Sequence, residues 1–153
     1  MVKNTSSLIG QLQKLGNKEQ AQNVARFFKT GKGQYGEGDQ FLGIKVPIIN
    51  KIAKENLNLS LEEVSILLTN KWHEVRVLAV KILAYKTMDK KISDNGRKEI
   101  FDFYLSNTKY INNWDLVDTS ASYLLGRYLF DKKRDVLYTL ARSKYLWERR
   151  IAI

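Results

Sequence analysis

Two stretches of the chain repeat one pattern of large apolar residues, and that repeat restricts the fold more than any other feature. Trp72, Val75, Ala79, Ile82 and Leu83 recur as Trp114, Val117, Ala121, Leu124 and Leu125, displaced by 42 residues. At about 100° per residue these offsets place all five side chains on one helical stripe, which must be buried against other helices. A third, imperfect copy begins at Trp147.

Helical periodicity fills most of the remaining chain. The spacing predicts helices over roughly 5–15, 18–29, 48–57, 61–70, 72–87, 94–106, 114–130, 133–143 and from 146 to the end. Asn17 with Gln20 and Ser60 with Glu63 read as capping boxes, and Pro47, the one proline, suits a first helical turn. No segment alternates as a strand does. The predicted class is all-α. A unit of about 40 residues with two helices per unit suggests HEAT-like or armadillo-like stacked antiparallel pairs, with a plain helical bundle as the alternative. With 153 residues the prediction is a single domain over 1–153. Arg149-Arg150-Ile151-Ala152-Ile153 closes the sequence in mid-pattern, so a longer domain, truncated here, is expected.

Charge narrows the partner. Lys plus Arg exceed Asp plus Glu by 26 to 16, a formal charge of +10. Such a surface concentrates polyanions, and nucleic acid leads. The cations are spread over many segments and not gathered on one amphipathic helix, which disfavours a membrane surface. If about five of them met phosphates, affinity would fall roughly 500-fold between 50 and 200 mM salt. With no cysteine there is no disulfide, thiol nucleophile or thiolate metal site. The expectation is no metal and no cofactor. Without a long apolar run or a signal-like amino end, a cytoplasmic, nucleoid-associated monomer is expected.

Several residues invite a chemical reading. Gly31, Gly33 and Gly36 formally match a dinucleotide fingerprint, but no strand precedes them, so the stretch from Thr30 to Val46 reads as a helix connection whose backbone amides are open to a phosphate. His73, the one histidine, has no evident metal or triad partner and reads as a surface or capping residue. Glu62 and Glu63 favour a helix start. Trp114 and Asp118 stand four apart on one helical face, with Asp118 at the edge of the apolar stripe. On pattern alone Trp114 reads as core, like Trp72. Asp118 reads either as an ion-pair partner of Arg76 or another base, or as a functional carboxylate. Trp147 and Arg150, three apart, form either a cation–π or phosphate-binding pair or the next packing layer.

The run from Tyr35 through Phe41-Leu42-Gly43-Ile44-Lys45-Val46-Pro47, then Trp114 to Asp118, then Trp147-Glu148-Arg149-Arg150-Ile151-Ala152, resembles the AlkD-type DNA alkylation-repair glycosylases over nearly the whole chain. The resemblance implies a HEAT-like enzyme that excises positively charged alkylated purines, such as 3-methyladenine and 7-methylguanine, from duplex DNA without a metal and without extruding the base. It implies Trp114 and Asp118 facing the deoxyribose and Arg150 on the backbone, with Arg149 the competing choice. Lys45, Arg76, Trp147 and Arg149 are the further candidate DNA contacts. Two non-catalytic alternatives stand beside it: a DNA-structure-binding protein and a protein-interaction scaffold.

Overall fold

The computed structural model describes residues 5–153. Its helices are α1 (Thr5–Leu15), α2 (Lys18–Phe27), α3 (Val46–Lys54), α4 (Leu61–Leu68), α5 (His73–Met88), α6 (Asp94–Ser106), α7 (Trp114–Asp118), α8 (Arg127–Leu129), α9 (Asp135–Ala141) and α10 (Leu146–Ile151). A short 3-10 turn spans Thr108–Tyr110, and a π-helical stretch spans Ser122–Gly126. The class is all-α. Among the described residues the only strand-like pairing is an isolated bridge between Gln40 and Trp72. No helix is long and apolar enough to cross a membrane.

The chain forms two compact units, one ending at Ile82 and one running from Leu83 to Ile153, with the boundary inside α5. In the first unit α1 packs on α4. Leu8 and Leu12 bury the inner face of α1, and Val64, Leu67 and Leu68 that of α4. Ser60 starts α4 with a full capping box, its hydroxyl accepting from Glu63 N–H while the Glu63 carboxylate accepts from Ser60 N–H. Asn17 caps α2 by accepting from Gln20 N–H. Pro47 lies in the first turn of α3, where a missing N–H costs nothing.

In the second unit α10 packs on α9 and α7, and α6 packs on the π-helical stretch and α8. The helix predicted to be continuous over 114–130 is broken. The departure begins at Ser120: Thr119 N–H keeps its helical bond to Asp115 O (3.1 Å), whereas Ser120 puts its hydroxyl on Leu116 O (2.5 Å) and turns its N–H to Val117 O (3.0 Å). Ser120 is fully buried and also bonds the Tyr104 hydroxyl at 2.8 Å, which fixes the break. Burial raises the Tyr104 pKa, and the Ser120 hydrogen bond offsets only part of that rise. Beyond the break the ladder widens to a π-type bond from Arg127 N–H to Ser122 O.

The glycine-bearing segment is not an open amide cradle. Gly31 N–H is taken by Gln34 Oε1, Gly33 N–H by Glu37 Oε2, and Gly36 N–H by Lys29 O. Farther on, one buried carboxylate, Glu74, accepts from Leu42 N–H (2.8 Å), Gly43 N–H (2.7 Å) and Ile44 N–H (3.4 Å). These donors are spent inside the protein, and the expected phosphate cradle is withdrawn. Gly43 is obligatory for two reasons: its φ is +78°, and a Cβ there would stand 2.2 Å from Asn17 O and 2.5 Å from Ala21 N.

His73 departs from its surface reading. It is buried between Phe28 (centroids 4.8 Å) and Phe41 (4.7 Å), with Nδ1 3.4 Å from Asp39 Oδ2. Arg76 Nη2 donates to Asp39 Oδ1 at 2.7 Å. Burial pushes the Asp39 pKa up, but hydrogen bonds from His73 and Arg76 and their charges outweigh it, and the carboxyl is held well below the usual range. A depressed folded pKa stabilises the fold above the unfolded value, about pH 3.9, and that contribution is lost as pH falls toward the folded value. Urea melts at neutral pH and below about pH 3.5 should therefore show a smaller acid-induced loss for Asp39→Asn than for wild type.

Candidate nucleic-acid site

The second unit brings Asp118 and Arg150 together across 32 residues of sequence. Arg150 Nε donates to Asp118 Oδ1 at 2.8 Å and Nη2 to Oδ2 at 2.7 Å, a two-pronged pair with both side chains close to half exposed (46% and 44%). The Arg150 hydrogen bonds, helped by its charge, lower the Asp118 pKa against the opposing effect of burial. At neutral pH Asp118 is an anion.

Each partner is placed by its own helix start. Asn113, fully buried, caps α7 by accepting from Trp114 N–H at 2.9 Å. That cap sets Trp114 at the first helical position and Asp118 one turn later on the same face. On α10 no side chain caps the helix directly. Glu148 instead accepts from Thr108 Oγ1 (2.6 Å) and Ser143 Oγ (2.5 Å), while Arg149 donates to the carbonyls of Ser143 (2.8 Å) and Lys144 (2.9 Å). The turn before α10 is thereby fixed, and Arg150 projects toward Asp118. Asp118, Arg150, Val117, Ala121 and Leu125 border an open cleft of about 570 Å³.

The predicted residues separate clearly. Trp114 keeps 37% of its surface exposed and is not the core residue that pattern alone indicated; it stands at the amino end of α7. Asp118 is ion-paired, but with Arg150 and not with Arg76, whose partner is Asp39. Arg76 is buried and Trp147 retains only 6% exposure, so both fill packing positions and neither presents a surface to DNA. Arg149 is spent on two loop carbonyls, which leaves Arg150 as the arginine facing Asp118. Lys45 is exposed at the residue before α3. Among the described residues no cluster of three His, Asp or Glu side chains is disposed to hold a metal ion.

Sequence reasoning missed Glu74 and Glu148. A signal was present: an acid follows each repeated tryptophan by one or two residues, as Glu74, Asp115 and Glu148. In the folded chain Glu74 and Glu148 gather donors from the loop that their helix must hold.

Residues 8–153 match the sequence pattern of the DNA alkylation repair enzymes. The chain belongs to that family. No curated protein and no solved structure matches it. Membership in a DNA alkylation repair family makes DNA the partner, in keeping with the formal charge of +10.

Proposed function

We propose that this DNA alkylation repair family member is a DNA glycosylase that hydrolyses the N-glycosidic bond of cationic alkylated purines, 3-methyladenine and 7-methylguanine, in duplex DNA. The observation that carries the reading is an ionised, half-exposed Asp118 one helical turn from a partly exposed Trp114, with Arg150 on its oxygens.

The chemistry asks little of the protein. A methylated purine already bears positive charge, so when the C1′–N bond breaks, the bonding pair leaves with the base and neutralises it. Positive charge then grows on the sugar. A carboxylate about 4 Å away stabilises that charge by on the order of 4 kcal/mol at an effective dielectric of 20, nearly three decades in rate. The Trp114 face adds roughly 0.5–2 kcal/mol. Water completes the reaction at C1′, Asp118 accepts its proton, and the products are the free base and an abasic site.

Arg150 sets a condition on that chemistry. Paired to a guanidinium, Asp118 presents a dipole and not a full negative charge. An exposed pair of this kind is worth about 0–1 kcal/mol, so a backbone phosphate that takes Arg150 frees the carboxylate at little cost. Arg150→Ala is accordingly expected to weaken duplex binding and to flatten the log–log salt slope by about 0.9, one phosphate contact. A fluorescence-anisotropy titration at several salt concentrations checks it; an unaltered slope would remove Arg150 from the backbone contact.

A second reading is favoured by the same pair. Both Asp118 oxygens are occupied by Arg150, as in a carboxylate that only braces a DNA-binding arginine. That protein would recognise DNA structure without cutting a bond. Incubation with methylated duplex and chromatographic assay of released bases separates the two, and no release of either purine would leave the binding role alone. For either activity we propose a cytoplasmic protein that is nucleoid-associated when bound to DNA and monomeric in its full-length form.

A further inference from the structure

We infer that residues 26–36 of the first unit form a second DNA contact, in which the Phe27 ring enters the minor groove while Arg26, Lys29 and Lys32 meet the flanking phosphates. The inference rests on the proposed DNA-directed function but not on glycosylase chemistry.

Phe27 is 79% exposed, more than any other large apolar side chain among the described residues of that unit. A solvated phenyl ring at the end of a helix is ordinary when its backbone is loose. Here the backbone is pinned on every side. The adjacent Phe28 is buried and stacked on Phe41 at 5.0 Å. Tyr35 donates its hydroxyl to Phe27 O (3.5 Å), and Gly36 N–H donates to Lys29 O (3.1 Å). Gly36 lies so close that a Cβ would come within 2.2 Å of Phe28 O. The ring is thus presented from a fixed platform, and the ordering cost of a contact has been met by folding.

Charge selects the partner. Residues 26–36 contain Arg26, Lys29 and Lys32 and no acid, and all three are exposed. The nearest acid in sequence, Glu37, is exposed and accepts from Gly33 N–H at 2.7 Å, so three cations face one carboxylate and the segment stays net positive. An aromatic flanked by cations suits the narrow minor groove, where an apolar wedge meets sugar and base edges and phosphates line both sides. A hydrophobic protein partner would not call for three cations around the ring.

Lys29 supplies an independent sign. Its φ is 48°, the one positive value outside glycine among the described residues. It follows the α2 carboxyl terminus, a place where glycine is favoured because a side chain is strained there. A lysine held in that conformation sacrifices stability, and its side chain is the one thing glycine lacks.

The test uses the 153-residue protein with undamaged duplex DNA and three measurements: affinity, its salt dependence and the melting temperature. Lys29→Gly should raise Tm by about 2–4 °C and lower the salt slope by about 0.9. Because this variant is the more stable one, weaker binding has no trivial origin in unfolding. Phe27→Ala should weaken binding by roughly fivefold or more with the slope unchanged, since an apolar contact releases no counterions. Wild-type affinity and slope in both variants would overturn the inference, as would a change confined to Lys29→Gly. Should Phe27→Ala impair binding while the wild type releases no methylated purine, the surface stands and the glycosylase reading falls.

Discussion

Asp118→Asn should release 7-methylguanine at least ~10-fold more slowly than wild type while binding methylated duplex with similar affinity. The substitution keeps the shape and removes the charge. In the proposed reaction the carboxylate acts on positive charge that exists only as the glycosidic bond breaks, so its loss falls on the rate and not on ground-state binding. Single-turnover excision at saturating protein measures that rate directly. The salt slope should hold, because Arg150, relieved of its partner, remains available to phosphate. A release rate equal to wild type would reduce Asp118 to a brace for Arg150. A parallel loss of affinity and rate would instead place it in DNA positioning.

Glu74→Ala should be the most damaging single change to stability. One buried carboxylate receives the amides of Leu42, Gly43 and Ile44, two of them at 2.8 Å or less. Removing it strands buried donors at about 1–3 kcal/mol each, so a loss of roughly 3 kcal/mol or more is expected. A domain of this size has about 5–15 kcal/mol in all. The urea midpoint should fall, and the segment over 30–46 should become the first site of proteolysis. Glu74→Gln keeps one accepting oxygen and should lie between the two. Equal midpoints for wild type and Glu74→Ala would mean that the loop amides find other partners.

The fold was legible where it depends on periodicity. The helices expected over 5–15 and 94–106 have those bounds, and others agree within a few residues, because amphipathic spacing and end residues such as Asn17, Ser60 and Pro47 act locally. The expected helix over 114–130 was not legible as a broken one. Ser120 looks harmless in a helical pattern, and the buried Tyr104 hydroxyl, 16 residues away, holds it where its N–H leaves the helical ladder.

The candidate site divides along the same line. Sequence by itself determined that Trp114 and Asp118 share a helical face, that the protein is strongly basic, and that its motifs belong with DNA alkylation repair enzymes. It did not determine which acid or carbonyl each cation meets. Tertiary structure spent Arg76 on Asp39, turned Arg149 onto loop carbonyls, buried Trp147, and brought Arg150 to Asp118. The physical reason is reach. Helical phase is set by neighbours three or four residues apart, whereas an ion pair depends on where the packing of separate helices delivers two long side chains, and no local spacing encodes that.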